Sequence, residues 1–151
     1  LLEEIAMFDN KDNIRFSYMG LDDAHIMGPK PQLTRVFVNL ITNAIQAVEI
    51  SQQENGVPEH GEIRVSLRHS TKEGFYDIVV EDNGPGVKDE NRAKLFVPEF
   101  TTKSSGSGLG LAISRNIVEN CGGDISYSKS FVLQGACFTV RYPKTDNGSM
   151  A

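Results

Sequence analysis

The stretch that decides the fold is Glu81-Asp82-Asn83-Gly84-Pro85-Gly86-Val87. It ends a mostly apolar run, residues 76–81, that is typical of a strand. Glycines remove Cβ atoms where another group must approach closely. One interpretation is a solvent-facing hairpin corner, which Asp-Asn-Gly often forms. The other places Asp82 partly buried at the sheet end, accepting a hydrogen bond from an exocyclic amine. That contact selects adenine, because guanine presents an acceptor there.

The segments before this stretch predict one strand and one long helix. Residues 63–67 alternate between apolar and polar side chains, as a half-buried strand does. Further upstream, apolar side chains recur at helical spacing, at Leu33, Val36, Phe37, Leu40, Ile41, Ala44, Ile45 and Val48. A polar loop is expected over 51–61, and two short strands over 13–18 and 24–27.

The segments after it complete an α+β pattern. A short helix is expected over 91–96, and a helix over 109–120 ends at Gly122-Gly123. Strands are expected over 124–128 and 136–142. Helices that cover one face of a mixed, mostly antiparallel sheet give a two-layer α/β sandwich.

Bulk composition excludes several classes of protein. The 151 residues suit one domain, and 39% hydrophobic with 23% charged residues predict a globular chain. A net charge of −5 argues against a nucleic-acid partner. Apolar runs are too short to span a membrane. Cys121 and Cys137 fit no metal spacing and are expected to be two buried thiols in a reducing cytosol.

Asn39 and Asn43 are the first unusual feature of the long helix. Four residues apart, they share one face, although asparagine has poor helix propensity. They are either solvated polar residues or amide oxygens presented to a hard cation such as Mg²⁺.

The second unusual feature is the polar stretch before the last helix, residues 101–111. It contains Lys103, and glycines alternate with other residues at Gly106, Gly108 and Gly110. Helix N-termini present free N–H groups that suit phosphate. The stretch is either a Gly/Ser linker or a phosphate-binding segment, and it matches neither a Walker P-loop nor a Rossmann fingerprint.

Together these motifs resemble the ATP-binding family shared by histidine kinases, gyrase, the Hsp90 chaperones and mismatch-repair ATPases. Residues 32–44 look like its N box, 81–86 its first glycine box and 106–111 its second. Residues 95–103, Leu-Phe-Val-Pro-Glu-Phe-Thr-Thr-Lys, resemble the F box of histidine kinases, particularly of nitrogen-regulation sensors.

The resemblance implies a role for each matching residue. Asn43 would ligate Mg²⁺, Asp82 would bind the adenine amine, and Lys103 would hold phosphates under a mobile lid over about 96–107. Asn39 and Lys103 are the candidate catalytic residues. The candidate nucleotide-binding residues are Asn43, Ala47, Asp82, Gly84, Gly86, Val87, Thr101, Thr102, Lys103, Gly106, Ser107, Gly108, Leu109, Gly110 and Leu111.

Two departures from the wider family are informative. Hydrolytic members carry a glutamate where Asn39 stands, and asparagine cannot act as a base at neutral pH. This favours a kinase. Ala136 stands where many relatives have threonine, which puts one secondary contact near the adenine in doubt.

The expected function is the Mg-ATP-binding catalytic domain of a bacterial two-component sensor histidine kinase. His25, His60 and His69 lack the phosphoacceptor context, so the accepting histidine is expected on a dimerisation and phosphotransfer domain preceding Leu1 in the parent. The onward partner would be a response regulator. A serine kinase of the anti-sigma-factor type and a non-catalytic nucleotide-binding module remain alternatives.

The expected organisation is a linker or helix end over 1–12, the catalytic domain over 13–144 and a tail over 145–151. We expect a monomeric, cytoplasmic domain from a parent that can be anchored in the inner membrane.

Overall fold

The computed structural model describes residues 14–20, 30–54, 61–97 and 110–144. These segments form a five-stranded sheet and three helices. The strands are β1 (Ile14–Met19), β2 (Gly61–His69), β3 (Phe75–Asp82), β4 (Asp124–Lys129) and β5 (Ala136–Pro143). The helices are α1 (Lys30–Glu54), α2 (Asp89–Arg92) and α3 (Gly110–Asn120).

The sheet is mixed and mostly antiparallel, as predicted. Its spatial order is β1-β2-β3-β5-β4. Only the β1–β2 pair is parallel among the described strands, and β2–β3, β3–β5 and β4–β5 are antiparallel. The central strand β3 is buried over residues 76–80, which explains its mostly apolar sequence. The exception is Asp77, which pairs with Arg141 of β5 at 2.9 Å. In the first half of β2, buried residues alternate with partly exposed ones, and Ile63 and Val65 are among those buried.

Helix α1 supplies much of the core. The eight apolar side chains at helical spacing between Leu33 and Val48 are all buried, so the predicted helix and its buried face are confirmed. They form one hydrophobic cluster with side chains of β2, β3 and β5, and with Val118 of α3. Since both long helices pack on the same face of the sheet, the predicted two-layer α+β sandwich is confirmed.

Two expected boundaries are wrong. Helix α1 continues to Glu54, where a loop from residue 51 was expected, because its last residues are glutamine and glutamate, which have good helix propensity. The short helix expected over 91–96 is α2, over Asp89–Arg92, followed by turns. Its first turn carries Asp89 and Glu90, and acidic residues favour a helix N-terminus.

Other expectations lie outside the described residues. These are the helix end within 1–8, the strand at 24–27, the lid beyond residue 97 and the tail over 145–151. Within the described segments, no helix is both long enough and apolar enough to cross a membrane.

Candidate functional site

Three side chains on one face of α1 organise the candidate site. Asn39, Asn43 and Ala47 follow one another every four residues, so they lie in a row along the helix. We call this row the 39–47 face. It is about 12 Å long, because a helix rises 1.5 Å per residue. Each end of the 39–47 face meets a different segment of the chain, and Asn43 is half-buried between them.

Asn39 connects the first end to the start of α3. Its Nδ2 donates to the carbonyl oxygen of Gly110 at 3.3 Å and to Oγ of Ser114 at 3.2 Å. Ser114 is fully buried, so the contact lies at the packed interface between the two helices. The amide of Asn39 therefore fixes the N-terminal turn of α3 against α1.

Ala47 meets the glycine turn at the other end. A Cβ at Gly84 would lie 2.9 Å from the carbonyl carbon and oxygen of Ala47. Such a distance is not tolerated, so glycine is required for the turn to approach the helix. The group that approaches Gly84 closely is thus the backbone of Ala47 on α1. At Gly110 the nearest atom to a Cβ would be Asn39 Cγ at 3.9 Å, an ordinary contact. Packing against the described residues does not explain that glycine.

Asp82 is buried at the last position of β3. It is 3% exposed, and its Oδ1 accepts hydrogen bonds from the backbone N–H of Gly84 at 2.8 Å and of Ala136 at 3.2 Å. A Cβ at Gly135 would lie 2.5 Å from this same oxygen. The start of β5 therefore covers Asp82 and orients its carboxylate. Ala136 contributes its backbone, which a threonine would offer equally.

The turn that follows Asp82 is fixed at two places. At its start, Asn83 and Glu62 pair reciprocally: Asn83 N–H donates to Glu62 O at 3.2 Å, and Glu62 N–H donates to Asn83 Oδ1 at 2.9 Å. Further along, Gly86 adopts φ +74°, a left-handed conformation that favours glycine. Next to it, the N–H of Val87 donates to the hydroxyl of Tyr127 at 3.0 Å.

A second turn, between β4 and β5, holds Gly135 over Asp82. Ser130 is 1% exposed, and its Oγ donates to Glu81 Oε2 at 2.7 Å and accepts from Leu133 N–H at 3.0 Å. The N–H of Ser130 donates to the carbonyl of Gly135 at 2.8 Å. Nearby, burial raises the pKa of the Cys137 thiol, and the charge of Glu81 raises it further.

Phe96, the aromatic residue that opens the predicted lid, packs on the body of the domain. Its ring meets Phe138 edge-to-face, with centroids 6.4 Å apart, and the guanidinium of Arg115 lies 5.4 Å from its centroid. Phe96 is therefore anchored to the body of the domain.

The structure covers only part of the predicted site. The predicted residues within the described segments are Asn39, Asn43, Ala47, Asp82, Gly84, Gly86, Val87, Gly110 and Leu111. All but Leu111 belong to the arrangement above, whereas Leu111 packs against the hydrophobic core. Thr101, Thr102, Lys103, Gly106, Ser107, Gly108 and Leu109 lie outside them. Among described residues, no group of three histidine, cysteine or acidic side chains could hold a metal.

Sequence reasoning missed four contributors, namely Asn83, Ser114, Tyr127 and Gly135. Gly135 gave one available signal, since a glycine follows Gln134 at the expected turn. Tyr127 and Ser114 gave none, because each acts through a single contact with a segment far away in sequence.

Four features together define an ATP-binding α+β domain. They are the sheet, the buried carboxylate at the end of β3, the glycine turn against α1 and the glycine that begins α3. The chain belongs to the family described as histidine kinase-, DNA gyrase B-, and HSP90-like ATPase, whose model matches residues 28–146. Its relatives are sensor histidine kinases. The fold is that of their catalytic domains.

Sensor histidine kinase ZraS of Escherichia coli O157:H7 is 39% identical over 118 residues, which cover 78% of this chain and 23% of that protein. Sporulation kinase A of Bacillus subtilis is 33% identical over 131 residues, which cover 87% of this chain and 20% of that protein. The chain thus spans about a fifth of the length of these relatives.

Solved structures match over nearly the whole chain. The catalytic domain of histidine kinase ThkA has a TM-score of 0.79 and 30% identity, covering 95% of this chain and 90% of that one. ThkA in complex with response regulator protein TrrA matches with a TM-score of 0.74 and 28% identity, and the match covers 95% of this chain and 39% of that one.

Proposed function

We propose that this chain binds Mg-ATP along the 39–47 face and donates the γ-phosphate to a histidine on a separate dimerisation and phosphoacceptor domain of the same parent. A response regulator would then receive the phosphoryl group. The observation that carries the proposal is the 39–47 face itself. It runs from the Gly84 turn beside Asp82 to the N-terminus of α3 at Gly110. One extended nucleotide can lie along such a row, with its base at one end and its phosphates at the other.

The base end is the buried carboxylate of Asp82. Two backbone N–H groups orient this side chain, and an ionised carboxylate only accepts hydrogen bonds. It suits the exocyclic amine of adenine and opposes the carbonyl that guanine presents there. Gly84, Gly86 and Val87 would line the same end, and Ala47 would form its floor on α1.

The phosphate end is the start of α3. This eleven-residue helix begins at Gly110, where free N–H groups and the positive end of the helix dipole favour an anion. The absence of a Cβ leaves room there. Lys103 and the polar residues Thr101, Thr102 and Ser107, with Gly106, Gly108 and Leu109, would complete the phosphate contacts. Their roles rest on the motif resemblance.

Asn43 would hold Mg²⁺ with its amide oxygen. The donor set fits this ion, because magnesium is commonly bound by one or two protein oxygens together with phosphates and waters. The absence of an acidic cluster among the described residues agrees with such a site rather than an all-protein cage. When bound, the ion would neutralise charge on the transferring phosphoryl group.

The remaining catalytic work is positioning. In the transfer, the bond between the γ-phosphorus and the bridging oxygen breaks, and a phosphorus–nitrogen bond to the imidazole forms. Asn39 cannot take a proton. Since its Nδ2 contacts Gly110 and Ser114, we assign it the orientation of α3. Any base would come from the phosphoacceptor domain. We place the domain on the cytoplasmic side, where ATP is available.

A transfer assay tests the proposal. The chain is incubated with γ-labelled ATP and Mg²⁺, alone and with the parent's dimerisation and phosphoacceptor domain. We expect acid-labile label on the added domain and none on the chain. Asn43→Ala should remove the transfer, whereas Asn116→Ala, at an exposed position of α3, should retain it. Stoichiometric label on this chain, or acid-stable label on a serine of the partner, would overturn the assignment.

A further inference from the structure

Tyr127 contacts the glycine turn from a strand that carries none of the motifs. It lies on β4, at the edge of the sheet. Its hydroxyl oxygen accepts the hydrogen bond from Val87 N–H at 3.0 Å, and a Cβ on Gly86 would lie 3.6 Å from that same oxygen. Asn83 fixes only the beginning of the turn. Tyr127 is the contact that fixes its end.

The ring of Tyr127 is itself held on two sides. The guanidinium of Arg92, at the end of α2, lies 5.2 Å from the ring centroid. Phe138 of β5 packs at a centroid distance of 5.3 Å. The hydroxyl is thus presented from a fixed platform, and the segment from the turn to α2 is attached to it at both Val87 and Arg92. A cation over a tyrosine face contributes modestly on its own, so the hydroxyl bond is the directional contact.

We infer that Tyr127 is a positioning residue for the base end of the nucleotide site. Its hydroxyl holds the Gly86–Val87 turn in the conformation that closes against the nucleotide. This rests on the proposed function of that turn. Without the hydroxyl, Val87 N–H has no partner from β4, and the left-handed Gly86 becomes free to change conformation. The nucleotide must then order the turn when it binds, which weakens its affinity.

Tyr127→Phe removes the hydroxyl alone and is the test variant. The matched control is Tyr142→Phe. Tyr142 is fully buried, and its hydroxyl has no hydrogen-bond partner in the part of the chain that the structure describes. Both substitutions remove one hydroxyl oxygen from a tyrosine of the sheet, half-buried at Tyr127 and fully buried at Tyr142. Dissociation constants for ATP, ADP and adenosine are measured by calorimetry on the full 151-residue chain, well below the unfolding temperature of each variant.

We expect Tyr127→Phe to weaken all three ligands by the same factor, about three- to tenfold, the size of one neutral hydrogen bond. An equal factor is expected because the turn lies at the base end, whereas Lys103→Ala should weaken ATP more than adenosine. Tyr142→Phe should leave all three constants unchanged. Amide exchange at Val87 should quicken only in Tyr127→Phe.

The outcomes separate this inference from the proposed function. If the unmodified chain binds no adenine nucleotide, the proposed function fails. If the chain binds ATP and Tyr127→Phe binds it equally well, only the role of Tyr127 is overturned. A lower melting temperature with unchanged dissociation constants would also overturn it, since a purely structural role predicts that result.

Discussion

Replacing Asn39 with leucine tests whether its amide holds α3 against α1. Leucine has a similar size but no donor, so the bonds to Gly110 and Ser114 are both lost. The carbonyl of Gly110 keeps its partner within the helix, whereas the fully buried hydroxyl of Ser114 loses a donor. Both bonds are long, and a neutral hydrogen bond contributes about 0.5–1.5 kcal/mol. The expected loss in free energy of unfolding is therefore about 1–2 kcal/mol.

Thermal unfolding without nucleotide measures this loss. For a chain of this size, each kcal/mol lowers the melting temperature by about 2–4 °C, so Asn39→Leu should melt about 2–8 °C earlier. Asn116→Leu is the control, because Asn116 is exposed on α3 and surface changes stay within about 0.5 kcal/mol. A double-mutant cycle with Ser114→Ala should show a coupling of at least about 0.5 kcal/mol between the two sites.

Two results would refute this reasoning. The first is a melting temperature for Asn39→Leu that equals that of Asn116→Leu. The second is strict additivity with Ser114→Ala, which would mean that the two side chains do not interact. Either result would return Asn39 to the class of solvated polar residues.

Three further predictions concern the nucleotide and the thiols. Asp82→Asn should weaken ATP binding by about 1.5–3 kcal/mol, the value of a hydrogen bond to a charged group, without unfolding the domain. Titration with ATP measures this loss, and an affinity within about twofold of the parent would mean that Asp82 is only a corner residue. The isolated chain should hydrolyse ATP far more slowly than the median enzyme turnover of about 10 per second, because Asn39 cannot act as a base. A measured turnover sustained at that rate, and abolished by Asn43→Ala, would indicate an ATPase instead. Alkylation of Cys137, followed in Cys121→Ser, should have a higher pH midpoint than in the denatured chain, since burial raises the pKa of this thiol and the thiolate is the reacting form. A midpoint at or below that of the denatured chain would contradict the burial of this thiol.

Regular elements were predictable because their signal is local and repeated. The buried face of α1 follows from apolar residues every three or four positions, and all of them lie in the core. Likewise, the alternation in β2 indicates burial on one face of the sheet, and the apolar run in β3 indicates burial on both faces. Asp82 follows Glu81 at the end of this run, where the residues alone left a hairpin corner open as well. The motif resemblance favoured the sheet end, and the structure buries the carboxylate there.

The contacts that complete the site were not predictable in this way. Asn39 meets Gly110 across 71 residues, Asp82 meets Ala136 across 54, and Val87 meets Tyr127 across 40. Each is a single pair without periodicity, so no local pattern announces it. The error at the end of α1 has a similar origin, because residues 51–54 continue the helix without any apolar residue to mark it.

The strand order has a consequence for how the chain is synthesised. β5 is the last described strand in sequence, yet it lies between β3 and β4 in the interior of the sheet. While the chain emerges from the ribosome, one edge of β3 stays open, and Asp82 lacks the N–H of Ala136 until residue 136 is available. A nascent chain that stops before β5 therefore has neither a continuous sheet nor both backbone donors to Asp82. A stop codon between β3 and β5 therefore leaves one edge of β3 exposed and open to aggregation.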